Sequence, residues 1–292
     1  MWTSVRRGGS PDDTEMSQRV ITISDLRNVV GELRLSKGTI VTPAARDHAD
    51  ARGIKIVFSD SAPPSRAEQS DRGRPISDIA RRIDHTLLHP DAVESDILNL
   101  CVEARDHGLA AVCVNPIWVA SATKALQGGS VHVCAVVGFP TGAHATAIKA
   151  AEAEVCAKEG AQEIDMVANA GWLKDGRSRD YTAEIAILRT RVGAGIILKV
   201  IIEAGLLTPE QIIRAATLAA QAGCDFVKTS TGLYGKARIE DVQLLRRALP
   251  APVKIKAAGG IRTAVDAIAM IDAGAERIGT SNSIAIVWEA RK

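Results

Sequence analysis

Aromatic residues make up only 3% of this 292-residue chain. So few rings leave little to stack single-stranded bases on. Basic charge is not concentrated either. Residues 1–75 carry 12 Lys+Arg against 10 Asp+Glu, and the remainder carries 24 against 24. With a net charge of +2 and no basic face, nucleic acid is not an expected partner. No apolar run reaches the ~18 residues of a membrane helix. The most apolar stretch, 196–207, is interrupted by Lys199 and Glu203. The opening residues Met1-Trp2-Thr3-Ser4-Val5-Arg6-Arg7 lack the apolar segment of a signal peptide. No CxxC pair occurs among Cys101, Cys113, Cys134, Cys156 and Cys224. An odd, scattered set predicts reduced thiols in a cytoplasmic protein and argues against structural zinc. No GxGxxG follows a strand, which weakens a dinucleotide-binding reading.

What is present is a change of pattern near Pro75. Before it, residues 1–18 are polar and read as disordered, and 19–58 read as a small α/β module. In that module a helix is expected from Asp25 to about Leu35, and a strand over Thr39–Val41. A second helix is expected to start at Thr42-Pro43 and stop at Gly53, with a strand over Ile54–Phe58. Residues 59–75, with Pro63-Pro64, read as a linker. Residues 76–292 then alternate short apolar runs with helical stretches. Strands are expected at Ile83–Leu87, Ala110–Val114, His132–Gly138, Glu163–Ala168, Ile196–Glu203, Phe226–Ser230, Val253–Ala257 and Arg277–Thr280. Gly108, Gly160, Gly223 and Gly274 stand where helix C-caps belong. Eight βα units with near-continuous apolar strands predict an α/β fold, a closed (β/α)8 barrel.

The chemistry starts from lysines inside these strands. Lys228 and Lys256 interrupt runs that should be buried, where desolvation opposes an ammonium charge. Strand parity puts Glu163 with Asp165, Lys199 with Glu203, Lys228 with Ser230, and Lys254 with Lys256 on shared faces. Bringing a lysine from about 10.4 to near 7 requires roughly 4–5 kcal/mol, which burial and a neighbouring ammonium could supply. A neutral lysine in a pocket points to Schiff-base chemistry on a carbonyl, which needs no metal and no cofactor. The alternative for such groups is a set of buried ion pairs without a catalytic role. Two other classes stand as rivals: a silent scaffold, and a metal aldolase. His85, His89, His132 and His144 make no metal-ligand spacing for the latter, and the six histidines read as surface residues or helix caps.

Glu163-Ile164-Asp165-Met166-Val167, Leu198-Lys199-Val200-Ile201-Ile202-Glu203, Val227-Lys228-Thr229-Ser230-Thr231-Gly232 and Lys256-Ala257-Ala258-Gly259-Gly260-Ile261-Arg262 occur in this order. With Ile83-Asp84-His85-Thr86-Leu87-Leu88, Val112-Cys113-Val114-Asn115-Pro116, Val137-Gly138-Phe139-Pro140 and Arg277-Ile278-Gly279-Thr280-Ser281, they closely resemble the deoxyribose-phosphate aldolase family from about Ile76 to Ala290. The resemblance implies a class I aldolase on a (β/α)8 barrel, with a phosphorylated sugar as substrate and a homodimer as assembly. It implies Lys228 as Schiff-base lysine, Lys256 as its perturbing neighbour and Asp165 as proton shuttle. Asp84, Thr86 and Cys113 would line the substrate end, Thr229 would add to it, and Lys199 with Glu203 would orient Asp165 and Lys228. For phosphate, the loops after the last two strands are the expected place, through Gly259, Gly260, Gly279, Ser281 and Asn282, and Gly232 in the loop after Lys228 can add another N–H. Arg262 either binds phosphate or caps its loop.

The chain also departs from the family's pattern. Leu233 stands where some relatives carry a lysine, Asn282-Ser283 replaces small residues, and no tyrosine lies near the C-terminus, where a short final helix could leave the last unit loosely closed. Gly38-Thr39-Ile40-Val41-Thr42-Pro43-Ala44-Ala45-Arg46-Asp47 with Gly53-Ile54-Lys55-Ile56 is similar to short segments of bacterial microcompartment-associated proteins. That likeness implies docking or self-association through residues 19–58, against the alternative of a passive extension.

Overall fold

The structure is a computed structural model that describes residues 20–21, 26, 31–36, 40–41, 46, 49–50, 52–59 and 79–291. The expected disorder at 1–18 lies outside these residues, as does nearly all of the expected linker at 59–75. The chain divides into two compact units, Met1–Gly73 and Arg74–Lys292.

The first unit contains two small parallel sheets. β1 (Val20–Ile21) pairs with β3 (Ile40–Val41), and β2 (Glu32–Ser36) pairs with β4 (Lys55–Ser59). Leu26, Leu35, Val41, Ala49 and Ile54 form its core. The helix expected over Asp25–Leu35 is corrected here. Leu26 is helical, but 32–36 is a strand in register with β4 from Glu32↔Lys55 to Ser36↔Ser59. Leu33 and Leu35 recur at a spacing of two, which is a strand period rather than a helical one.

The second unit is a closed barrel of eight parallel strands: β5 (Ile83–Leu87), β6 (Ala111–Val114), β7 (His132–Val137), β8 (Glu163–Val167), β9 (Ile197–Ile201), β10 (Phe226–Lys228), β11 (Lys254–Ala258) and β12 (Arg277–Thr280). All eight fall where the apolar runs predict them. Closure is by β12 on β5, with Ile278↔Ile83, Gly279↔Asp84 and Thr280↔His85 in register, so the last unit is not left open.

Alternate residues face opposite ways, and the two faces differ in chemistry. Outward residues such as Val112, Ile164, Met166, Leu198, Val200, Val227, Ile255 and Ile278 pack under the helices and form the main core. Each such aliphatic contributes about 1.5–3 kcal/mol by leaving water. Helix starts are fixed locally: Thr208 accepts from Gln211 N and Thr263 from Asp266 N, each as a reciprocal capping box. Gly108 ends helix Glu94–His107 in the left-handed conformation at φ 64°, which a side chain would strain. Among the described residues, no helix is long and apolar enough to cross a membrane.

Candidate active site

The inward face carries the polar residues. Register alone brings Lys228 beside Lys256 and Asp165 beside Lys199 on neighbouring strands. Lys228 Nζ and Lys256 Nζ both donate to Asp165 Oδ2, at 2.8 Å and 2.7 Å. Lys199 Nζ takes the other oxygen, Oδ1, at 2.7 Å. One carboxylate thus bridges three lysine side chains. Lys199 also donates to Glu163 Oε2 at 2.5 Å, and Lys256 donates to Asp84 Oδ2. Arg277 Nη1 closes the ring, at 2.6 Å from Asp84 Oδ1 and 3.2 Å from Glu163 Oε2.

Burial of these charges is near total, and it raises the cost of each lone charge. For Asp165, burial pushes the carboxyl up, but Lys199, Lys228 and Lys256 outweigh it and hold it well below the usual carboxylate range. Asp84 and Glu163 are likewise lowered, by Lys256 and Lys199 in turn, against the same penalty. Burial opposes the charges on Lys199 and Lys256, yet the facing carboxylates hold both above the ordinary lysine value. For Lys256, Asp165 and Asp84 outweigh both burial and the opposing charge of Lys199. Of the three lysines, only Lys228 has a side chain that reaches solvent at all, at 4% exposure against 0% for Lys199 and Lys256.

The remaining interior is apolar. Ala111, Cys113, Cys134 and Val136 form a wall with Leu88 and Phe139 packed on it. Cys134 belongs to both sides, since its thiol donates to Asp165 Oδ1 at 3.1 Å and accepts from Lys199 at 3.2 Å. Two donor sets lie close enough to hold an ion: Cys113 with Cys134 and Asp165, and Asp84 with Cys134 and Glu163. Lysine and arginine groups already occupy the faces of these carboxylates, so the donor chemistry fits ammonium partners better than a metal ion.

The comparisons with known proteins follow this geometry. The sequence profile of the DeoC/LacD family aldolases matches residues 79–286. A deoxyribose-phosphate aldolase of Geobacillus sp. (strain WCH70) is 48% identical over 216 residues, covering 72% of this chain and 95% of that protein. One from Streptococcus equi subsp. zooepidemicus is 50% identical over 212 residues, with 72% and 95% covered. In three dimensions, the tetrameric deoxyribose phosphate aldolase of Aeropyrum pernix superposes with a TM-score of 0.68 at 32% identity, covering 74% of this chain and 92% of that one. The chain belongs to the DeoC/LacD family of aldolases.

Within this aldolase the expected site residues fall into three places. Asp84, Asp165, Lys199, Lys228 and Lys256 form the buried cluster. Thr86 and Cys113 are register neighbours on the inner wall, and Thr86 Oγ1 donates to Asp84 O at 3.0 Å. Glu203 does not join them. β9 ends at Ile201, and Glu203 turns into the left-handed region at φ 53°, breaking the alternation that would have aimed it inward. There it accepts from Thr231 N at 3.1 Å and from Thr231 Oγ1 at 2.5 Å, so it steadies the loop after Lys228 instead of Asp165. The Thr229 hydroxyl is engaged with the β11 backbone, accepting from Ala258 N and donating to Ala258 O, both at 3.1 Å.

Gly279 lies on β12 inside the barrel, and a Cβ there would come 3.0 Å from Lys256 Cε. Its missing side chain makes room for Lys256. The other loop residues gather at the C-terminal mouth. Gly259 and Gly260 follow β11 with φ 106° and 75°, and a Cβ on Gly259 would lie 3.3 Å from Gly232 Cα. Asn282 Nδ2 donates to Arg262 O at 2.9 Å and ties the last two loops together, with Ser281 exposed beside it. Arg262 N donates to Asp266 Oδ2 at 3.2 Å, a capping role for its backbone.

Cys134 and Arg277 were not singled out from sequence. The same parity that placed Lys199 and Lys256 would have found them, since both stand at inward positions of predicted strands. Two histidines depart from expectation, while His89 and His144 are exposed as expected. His85 is buried and bonds Glu103 at 2.7 Å, and His132 Nδ1 lies 2.9 Å from Glu163 Oε1.

Proposed function

We propose that this chain catalyses the reversible Schiff-base cleavage of 2-deoxy-D-ribose 5-phosphate to D-glyceraldehyde 3-phosphate and acetaldehyde. The observation that carries the reading is Asp165 Oδ2 standing between Lys228 and Lys256, with Lys228 alone of the three lysines keeping any exposure to solvent. Lys228 attacks the C1 aldehyde as the free amine. Loss of water from the carbinolamine leaves an iminium. Removal of the C3 hydroxyl proton then breaks the C2–C3 bond: glyceraldehyde 3-phosphate leaves, and the electron pair enters the iminium as an enamine. Protonation of C2 and addition of water release acetaldehyde and return the amine. Asp165 is within reach of both lysines and serves as the relay for these protons. Charged Lys256 and Lys199 keep Asp165 anionic between turnovers. The Gly232, Gly259-Gly260, Arg262, Ser281 and Asn282 loops receive the phosphate, where backbone N–H groups can converge on an anion.

Borohydride trapping with acetaldehyde, read by peptide mapping, tests the reading. A two-carbon adduct on Lys228 is the expected result, and an unmodified Lys228 overturns it. We further propose a cytoplasmic homodimer, with residues 19–58 serving self-association or docking to a microcompartment. Deletion of residues 1–74 should then change oligomer size or localisation; no change in either rejects that role.

A further inference from the structure

Lys236 lies in the loop that follows Lys228, and its stem rests on the peptide at Gly260. An ideal Cβ at Gly260 would sit 2.9 Å from Lys236 Cγ and 3.1 Å from Cδ, so this contact exists only because position 260 is glycine. The same two loops meet again one residue earlier. A Cβ at Gly259 would lie 3.0 Å from Gly235 O and 3.3 Å from Gly232 Cα, and Ala237 N donates to Gly259 O at 2.9 Å. Segments 232–237 and 259–260 therefore join at a seam of bare backbone, and Lys236 is the cation laid across it. Arg238 nearby is engaged with Glu240 at 3.6 Å and Asp241 at 3.8 Å. Lys236 has no ion-pair partner among the described residues. Leu233 and Tyr234, on the same loop, are exposed and bring no cation to it.

We propose that Lys236 reads the anionic end of the substrate and makes this aldolase selective for phosphorylated over unphosphorylated aldehydes. The inference rests on the phosphate placement proposed above. An ammonium is a compact charge that binds phosphate without the planar geometry arginine demands. Anchoring the stem on Gly260 reduces the freedom such a side chain must lose on binding.

Lys236→Met keeps the stem and removes the charge. Calorimetric binding of glycerol 3-phosphate to the full chain should weaken by about ten-fold, the size of one charge-assisted contact at an open site. KM for 2-deoxyribose 5-phosphate should rise by a similar factor with kcat held, while kinetics on unphosphorylated 2-deoxyribose stay unchanged. Lys236→Arg should recover most of the affinity, and added salt should shrink the difference between wild type and Met. Unchanged glycerol 3-phosphate affinity, no binding in the wild type, or equal losses on both sugars would each overturn the proposal. Acetaldehyde trapping on Lys228, run on the same samples, separates the two readings. Loss of trapping in the wild type removes the Schiff base, while glycerol 3-phosphate binding still decides Lys236.

Discussion

Two groups of buried charges in this molecule behave in opposite ways. Inside the barrel, Asp84, Glu163 and Asp165 face Lys199, Lys228, Lys256 and Arg277. Outside it, between helices Thr146–Lys158 and Ser178–Val192, Lys149 Nζ meets a single carboxylate, Glu184 Oε2, at 2.9 Å, and donates also to Val167 O at 2.8 Å. Burial penalises both groups alike. In the barrel the facing charges outnumber the penalty, so the acids titrate low and Lys199 and Lys256 titrate high. In the outer pair desolvation wins, lowering Lys149 and raising Glu184 against their mutual attraction. Counter-charge number, not depth, decides whether a buried group keeps its charge. The relay proposed for Asp165 needs the first environment; a strut holding the end of β8 is adequate in the second.

Breaking the inner group should have the larger effects. Lys228→Ala should abolish turnover and remove the trapped adduct, and a rate near wild type would show that the chemistry lies elsewhere. Asp165→Asn should lower kcat by about 10²–10⁴ and cost roughly 3–5 kcal/mol of stability, because three buried ammonium groups lose their shared anion. Chemical denaturation beside steady-state kinetics measures both. Lys256→Leu should cut the rate by about 10²-fold and move the pH optimum, since one of the cations that keep Asp165 ionised is gone. An unshifted optimum with a lower rate would reduce Lys256 to packing.

The smallest effect sharpens the contrast. Asp84, Glu163 and Asp165 are depressed, so their stabilisation is full above about pH 4.5 and is lost as pH falls. Glu184 is raised, so its contribution runs the other way: full below about pH 4.5 and lost as pH rises through its raised value. Glu184→Gln removes this counter-trend. Between about pH 6 and 4 the variant's urea midpoint should lack the gain that Glu184 gives wild type as pH falls, with kcat within about three-fold. Parallel slopes would mean that both groups respond alike and that the contrast is wrong.

These groups also show where a sequence is readable. The barrel's charges were legible because a lysine or an acid in an otherwise apolar strand has only an inward face to occupy, and parity says which residues share it. The strands themselves stood out as short runs buried on both sides. Lys149 and Glu184 gave no such signal, since a charged residue on a helix ordinarily faces water, and only the fold brings these two together beneath Gly138 and Val167. Glu203 was misplaced because parity holds only while the strand lasts. The Glu32–Ser36 strand was missed because the helix expected from Asp25 was extended to Leu35, over the two-residue spacing of Leu33 and Leu35.

Barrel closure has a consequence for synthesis. Asp84 stands on the first strand of the barrel, and its partners Lys256 and Arg277 stand on the last two, 172 and 193 residues along the chain. A nascent chain carries Lys228 well before it carries Arg277. Until β12 leaves the ribosome and docks on β5, the first strand's carboxylate has no guanidinium to face, and the relay's surroundings are incomplete. The buried charge cluster is thus completed only in molecules whose last strand has closed the barrel.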